Sequence, residues 1–180
     1  LIDSYLPPVI GATQNNNDSK QKHFTWINDL QEGLNEANKV NKPVFIDFTG
    51  HACVNCRKME ERVWSEDEVL NLLKNDIVLI SLYVDDQRDL PEHEQYVSEA
   101  TGKEIETIGN KWSDFQITNY KANAQPYYVI LDNEGNKLND PIAYEPDADK
   151  YLQWLKNGVN NFYDDESVDN LNENSPSIFQ

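Results

Sequence analysis

Two cysteines stand three positions apart in the stretch Cys53-Val54-Asn55-Cys56, and the chain has no others. A pair at this spacing can supply half of a tetrahedral zinc site, close a small structural bridge, or cycle between dithiol and disulfide. Zinc normally takes four ligands. Here the histidines His23, His51 and His93 are scattered and no second cysteine pair exists. A structural bridge across so short a loop contributes little, because loop-closure stabilisation shrinks with loop length. A redox dithiol is the favoured chemistry, and its competence depends on what holds the two thiols.

The flanking residues supply the holder. Val44-Phe45-Ile46-Asp47-Phe48 is an apolar, partly β-branched run that reads as a buried strand of a sheet covered on both faces. After a short turn, Arg57-Lys58-Met59-Glu60-Glu61-Arg62 is built of strong helix formers, so Cys53 should sit at or just before a helix N-terminus. Unpaired N–H groups and the positive end of the helix dipole favour a thiolate there. Cys56, one turn on, then faces inward and is placed to close a disulfide with Cys53. His51 and Arg57 could adjust the thiolate charge, or be ordinary solvated side chains. Asp47 interrupts an apolar strand, which is costly for a carboxylate unless it has work or a partner; the alternative is that strand alternation turns it to solvent.

Strand, Asp47, turn, Cys-x-x-Cys and helix, followed much later by Gln125-Pro126-Tyr127-Tyr128-Val129-Ile130, together resemble the thioredoxin superfamily. Within it they are similar to the soluble C-terminal domains of bacterial transmembrane disulfide reductases of the DsbD type, whose dithiol motif also begins Cys-Val. The resemblance runs from about Phe24 to Val159. It implies a thioredoxin-like α/β fold, with a central mixed sheet flanked by helices and an insertion before the strand that follows Pro126. It also implies a catalytic set: Cys53 as nucleophile, Cys56 as resolving thiol, Asp47 as proton acceptor for Cys56, and Pro126 in the cis form, facing the dithiol. No cofactor and no metal belong to that set. Three departures stand out. Ala52 occupies the place of the usual tryptophan before the first cysteine, Val54-Asn55 replaces Gly-Pro, and Ser81 aligns where a lysine often pairs with the buried acid.

Along the chain, residues 1–22 read as a flexible linker, 23–160 as the thioredoxin-like domain and 161–180 as an acidic flexible tail. Trp26, Ile27, Leu30, Leu34 and Ala37 recur at helical spacing, with Thr25 or His23 near the start, and this helix should stop before Lys42-Pro43. Ser65-Glu66-Asp67-Glu68 has the form of a capping box and opens a second helix. Ile77 to Val84 reads as a strand parallel to the first. Between Asp85 and Lys121 the spacing suggests a helix over Pro91 to Ala100, an extended piece over Lys103 to Ile108 and a helix over Ser113 to Tyr120. This segment should help choose partners. Tyr127 to Leu131 and Lys137-Leu138 read as a hairpin around Gly135, and Pro146-Asp147 begins the last helix. Trp112, Phe115, Tyr120, Tyr127 and Tyr128 are expected in the core and sheet.

At 180 residues the chain suits one domain with extensions. Its formal net charge of -17 argues against nucleic acid and anionic membrane surfaces as partners and favours neutral or basic proteins. No apolar run reaches the length of a transmembrane helix, so this stretch of chain reads as soluble. The expected activity is thiol–disulfide exchange on protein disulfide substrates. The resemblance implies a reductase, monomeric, periplasmic or otherwise extracytoplasmic, and fed with electrons by a membrane-embedded donor module. That module could belong to the same polypeptide and tether the domain to the inner membrane through an upstream segment. A disulfide oxidase or isomerase is the rival within this chemistry, and a soft-metal-binding, metallochaperone-like module the rival outside it.

Overall fold

Strand β2, Val44–Thr49, is buried along its whole length, which explains why its residues form a near-continuous apolar run. The computed structural model describes residues 24–173. The linker expected over 1–22, and His23, lie outside the described residues.

In chain order the elements are β1 (Trp26–Ile27), α1 (Leu30–Val40), β2, α2 (Val54–Arg62), α3 (Asp67–Asn75), β3 (Val78–Tyr83), β4 (Tyr96–Val97), β5 (Glu104–Ile105), α4 (Ile108–Tyr120), β6 (Tyr127–Leu131) and α5 (Ala148–Glu173). The main sheet has the order β1-β3-β2-β6. β2 runs parallel to β3, with Asp47 opposite Ser81, and antiparallel to β6, with Asp47 opposite Tyr128. The sheet is therefore mixed and flanked by helices, as the resemblance implied.

Alternation along β2 divides the core in two. Phe45 packs with Met59, Val63, Trp64, Tyr128, Tyr151 and Leu155, while Val44, Ile46 and Phe48 pack with Ala37, Ile80, Leu82, Trp112 and Val129. Phe45, Ile46 and Phe48 are fully buried, which stabilises the fold by roughly 1.5–3 kcal/mol for each side chain. The strand that carries Asp47 toward the dithiol is thus anchored from both faces.

Several local expectations are corrected. Trp26 and Ile27 are not the start of a helix but a short strand parallel to β3. The helix begins at Leu30 because the Asp29 side chain caps it, accepting a hydrogen bond from Glu32 N at 3.0 Å. The capping box at Ser65 does not form: its hydroxyl donates back to the Glu61 carbonyl at 2.8 Å, and Glu66 takes the cap position without a side-chain bond. Pro91 to Ala100 is not a helix. It holds one turn of 3-10 helix at Glu92–Glu94 and then β4, which pairs antiparallel with β5. α4 starts at Ile108 rather than Ser113, capped by Thr107, whose Oγ1 accepts from Asn110 N at 3.1 Å. The hairpin after β6 closes around Gly135 at φ 96°, but Lys137 and Leu138 make only a bridge, not a full strand. Finally, α5 continues past Asn160 to Glu173, and Phe162 is buried in the domain. An apolar ring packed there holds the helix where composition alone suggests a tail.

The insertion is tied down by a buried carboxylate. Asp114 on α4 accepts from the Ser98 hydroxyl and, at 2.7 Å, from the Tyr96 hydroxyl. Burial, with the bond to Asp114, pushes the Tyr96 phenol up to about 12. Asp114→Ala leaves the buried Ser98 hydroxyl without this partner, at a cost of about 1–3 kcal/mol. Hydrogen exchange should show faster opening of the β4–β5 amides while those of β2 stay protected; unchanged β4–β5 protection would mean the carboxylate does not hold the insertion.

Candidate active site

Cys53 is the N-cap of α2, in extended backbone, and its Sγ accepts from Cys56 N at 3.1 Å. The two cysteines are joined in a disulfide with Cα atoms 5.3 Å apart. Cys56 is buried at 1% exposure and Cys53 is half-buried. The first sulfur is therefore the one a partner can reach, which is the placement expected from helix formers starting just after the motif. Val54, between them, is 67% exposed and offers an apolar contact at the rim.

Asp47 lies on the face of β2 that also carries Phe45, the face covered by α2. It is 3% exposed, and its Oδ1 has no hydrogen-bond partner among the protein atoms. Burial holds its carboxyl well above the usual range; the nearby Glu60 carboxylate adds to this and Arg57 opposes it. No lysine answers it across the ladder, since Ser81 stands there. Arg57 instead pairs with buried Glu60 at 3.0 Å and donates to Thr49 Oγ1 and to the Gly50 carbonyl, each at 3.4 Å. His51 stacks on Tyr83 with ring centroids 4.2 Å apart. The two rings line a cleft of about 340 Å³ together with Asp47, Ser81 and Asn28.

The peptide bond Gln125–Pro126 is cis, as the resemblance implied, and Pro126 is buried at the start of β6. The loop before it is held by Gln116, fully buried, whose side chain donates to the Ala124 carbonyl at 2.9 Å and accepts from Gln125 Nε2 at 3.0 Å. Gln125 shares a groove of about 390 Å³ with Ala52, Cys53, Val54, Val84 and Asp85. Cys53 and the proline loop are thus brought to one groove, with Ala52 exposed where a tryptophan would narrow it. Among the described residues, no group of three or more His, Cys, Asp or Glu side chains is placed to hold a metal ion.

Sequence reasoning missed Asp85. Its carboxylate accepts from His51 N at 3.0 Å and from Ala52 N at 3.2 Å. An acid directly after an apolar strand has no spacing signature of its own; only its place at the same end of the sheet as the Cys53 turn points to it. Trp112, Phe115, Tyr120, Tyr127 and Tyr128 lie in or against the two core clusters, as expected.

A dithiol where a central strand hands over to a helix, with a cis-proline opening the neighbouring antiparallel strand, defines the thioredoxin class of fold. A family model described as thioredoxin-like matches residues 25–132. The chain belongs to this thioredoxin-like family of oxidoreductases with a Cys-x-x-Cys pair. It is 29% identical over 63 residues to the thiol:disulfide interchange protein DsbD of Campylobacter jejuni, a match covering 33% of this chain and 11% of that protein. Among solved structures it is similar to DsbH oxidoreductase, with a TM-score of 0.54 and 19% identity over 76% of this chain and 85% of that one. A thioredoxin from Thermus thermophilus gives a TM-score of 0.52 at 20% identity, covering 74% of this chain and 85% of the other. These structural likenesses establish the fold.

Proposed function

We propose that this domain is a protein-disulfide reductase. In its reduced form the Cys53 thiolate attacks one sulfur of a substrate disulfide. A Cys53–substrate bond forms, the substrate S–S bond breaks, and the second substrate sulfur leaves as a thiolate that takes up a proton. Asp47 accepts the Cys56 proton, Cys56 attacks Cys53 Sγ, and the mixed disulfide breaks to give the Cys53–Cys56 disulfide and the reduced substrate. Two electrons pass to the substrate, and a separate donor must return them. Pro126 and the backbone before it form the wall on which a substrate strand pairs.

The observation that carries this reading is the asymmetry of the pair, one sulfur at a helix N-terminus in an open groove and the other buried. Direction follows from charge. Strong oxidants drive the nucleophile's thiolate to be unusually stable with surrounding positive charge, whereas here Arg57 is engaged by Glu60 at 3.0 Å and the chain carries a net charge of -17. An extra negative charge is disfavoured in that setting, so the disulfide form gains and the dithiol donates.

The domain is assigned to the periplasm or another extracytoplasmic space, a setting that the similarity to DsbD favours, and to work there as a monomer supplied by a membrane-embedded donor module. No helix among the described residues is long and apolar enough to cross a membrane, so the donor module is assigned to a separate segment or protein. Equilibration against dithiothreitol and glutathione buffers should place the potential near thioredoxin, at about −270 mV; a value near DsbA, at about −120 mV, would replace the reductase reading with an oxidase.

A further inference from the structure

All three peptide N–H groups that lead into Cys53 have fixed acceptors. Those of His51 and Ala52 donate to the two carboxylate oxygens of Asp85 at 3.0 and 3.2 Å, and that of Cys53 donates to the Gly50 carbonyl at 3.2 Å. Bonds to an ionised acceptor are the stronger kind, and two on one planar carboxylate fix direction as well as distance. Asp85 is held from behind. Val84 N continues the ladder by donating to the Thr49 carbonyl at 3.0 Å, and Gly109 N donates to the Asp86 carbonyl at 2.9 Å.

Two glycines make this close packing possible. A Cβ on Gly50 would stand 3.0 Å from Asp85 Oδ2. A Cβ on Gly109 would stand 2.6 Å from Asp86 N and 2.7 Å from the Val84 carbonyl, so α4 can approach the segment that carries Asp85 only without a side chain there. Asp85 also lines the groove that holds Cys53 and Gln125.

We propose that Asp85 is a positioning residue for thiol–disulfide exchange, fixing the approach loop of Cys53 and holding the dithiol toward its reducing side. The inference rests on the reading that Cys53 and Cys56 exchange with substrate disulfides. Its physical content is twofold. The carboxylate engages two N–H groups that would otherwise add positive potential beside the nucleophile, and it sets a negative charge in the wall of the same groove. Both effects disfavour the thiolate of the reduced protein relative to the uncharged disulfide, and a relatively stable disulfide makes a better electron donor.

Asp85→Asn keeps the size, leaves one acceptor oxygen where the carboxylate presents two, and removes the charge; Asp85→Ala removes both bonds. Each full-length variant and the wild type would be equilibrated with glutathione buffers, and thiolate absorbance would be followed against pH. In Asp85→Asn the equilibrium should move toward the dithiol by about three- to tenfold, tenfold being about 30 mV, and the thiolate should appear at lower pH. Asp85→Ala should move at least as far. If Asp85→Ala does not fold, Asp85→Asn decides. Wild-type equilibrium and pH profile in a folded Asp85→Asn protein, or a shift toward the disulfide, would overturn the assignment while leaving exchange intact. A wild-type protein that fails to equilibrate with glutathione at all would instead remove the exchange reading on which it rests.

Discussion

Cys56→Ser should accumulate mixed disulfides through Cys53, while Cys53→Ser should lose exchange by about a thousandfold or more, the scale on which removing a nucleophile disables an enzyme. The two sulfurs differ in every respect that matters for attack. Cys53 caps α2 and is half-buried in an open groove; Cys56 is 1% exposed and sits within the helix. A partner disulfide can align with the first sulfur and not with the second. Without Cys56, the mixed disulfide has no internal thiol to release it and persists. Limited alkylation of the reduced protein followed by mass mapping tests the order directly. Preferential labelling of Cys56 would reverse the two roles.

Asp47→Asn should slow the resolving step by about a hundredfold, the lower range for a lost general base, and should make the protein more stable at neutral pH. The second effect follows from the sign of the shift. Burial raises the folded-state carboxyl well above 3.8, so the folded protein keeps its proton at pH values where the unfolded chain has released it. Stability is then highest below the unfolded value and falls as pH rises from 3.8 until the folded group itself ionises. An amide never ionises, so the variant escapes that loss. At pH 7 it should therefore melt several degrees above the wild type, because it avoids the stability that the wild type loses as its unfolded chain releases the proton. Below pH 3.8 the gain should vanish. Equal melting at pH 7, together with equal single-turnover rates from pH 6 to 9, would leave Asp47 with neither role.

The parts of this architecture that were legible in the sequence are those where a local pattern and the final environment agree. β2 could be read because both of its faces are buried, which forces a continuous apolar run, and the dithiol because two cysteines in 180 residues leave few alternatives. The cis bond at Pro126 follows from the resemblance to the thioredoxin superfamily rather than from the residue itself. The misreadings have physical causes. Trp26 and Ile27 fall in register with Leu30, Leu34 and Ala37 on a helical count, yet Asp29 can cap only a helix that begins after it. Ser65 has the residues of a capping box, but the preceding turn of α2 offers the Glu61 carbonyl first. Phe162 stands in acidic sequence, so only its packed position distinguishes helix from tail. Asp85 was invisible for a different reason: its partners are backbone N–H groups 33 and 34 residues away, and backbone leaves no trace in residue identity.

The four tryptophans are divided unequally between the two layers of the core. Trp26, Trp64 and Trp154 stand in or against the layer built on Phe45, with the Trp26 and Trp64 rings 5.5 Å apart, whereas Trp112 belongs to the other layer beside Phe115. Optically, each side of the sheet carries its own chromophores. Indoles as close as Trp26 and Trp64 couple their transitions, so the near-ultraviolet dichroism of that pair belongs to one side alone, and the emission of Trp112 belongs to the other. With Trp112→Phe as a reference, the two sides can be followed separately during unfolding, in the unlabelled protein and without attaching a dye to either of the cysteines on which the chemistry depends.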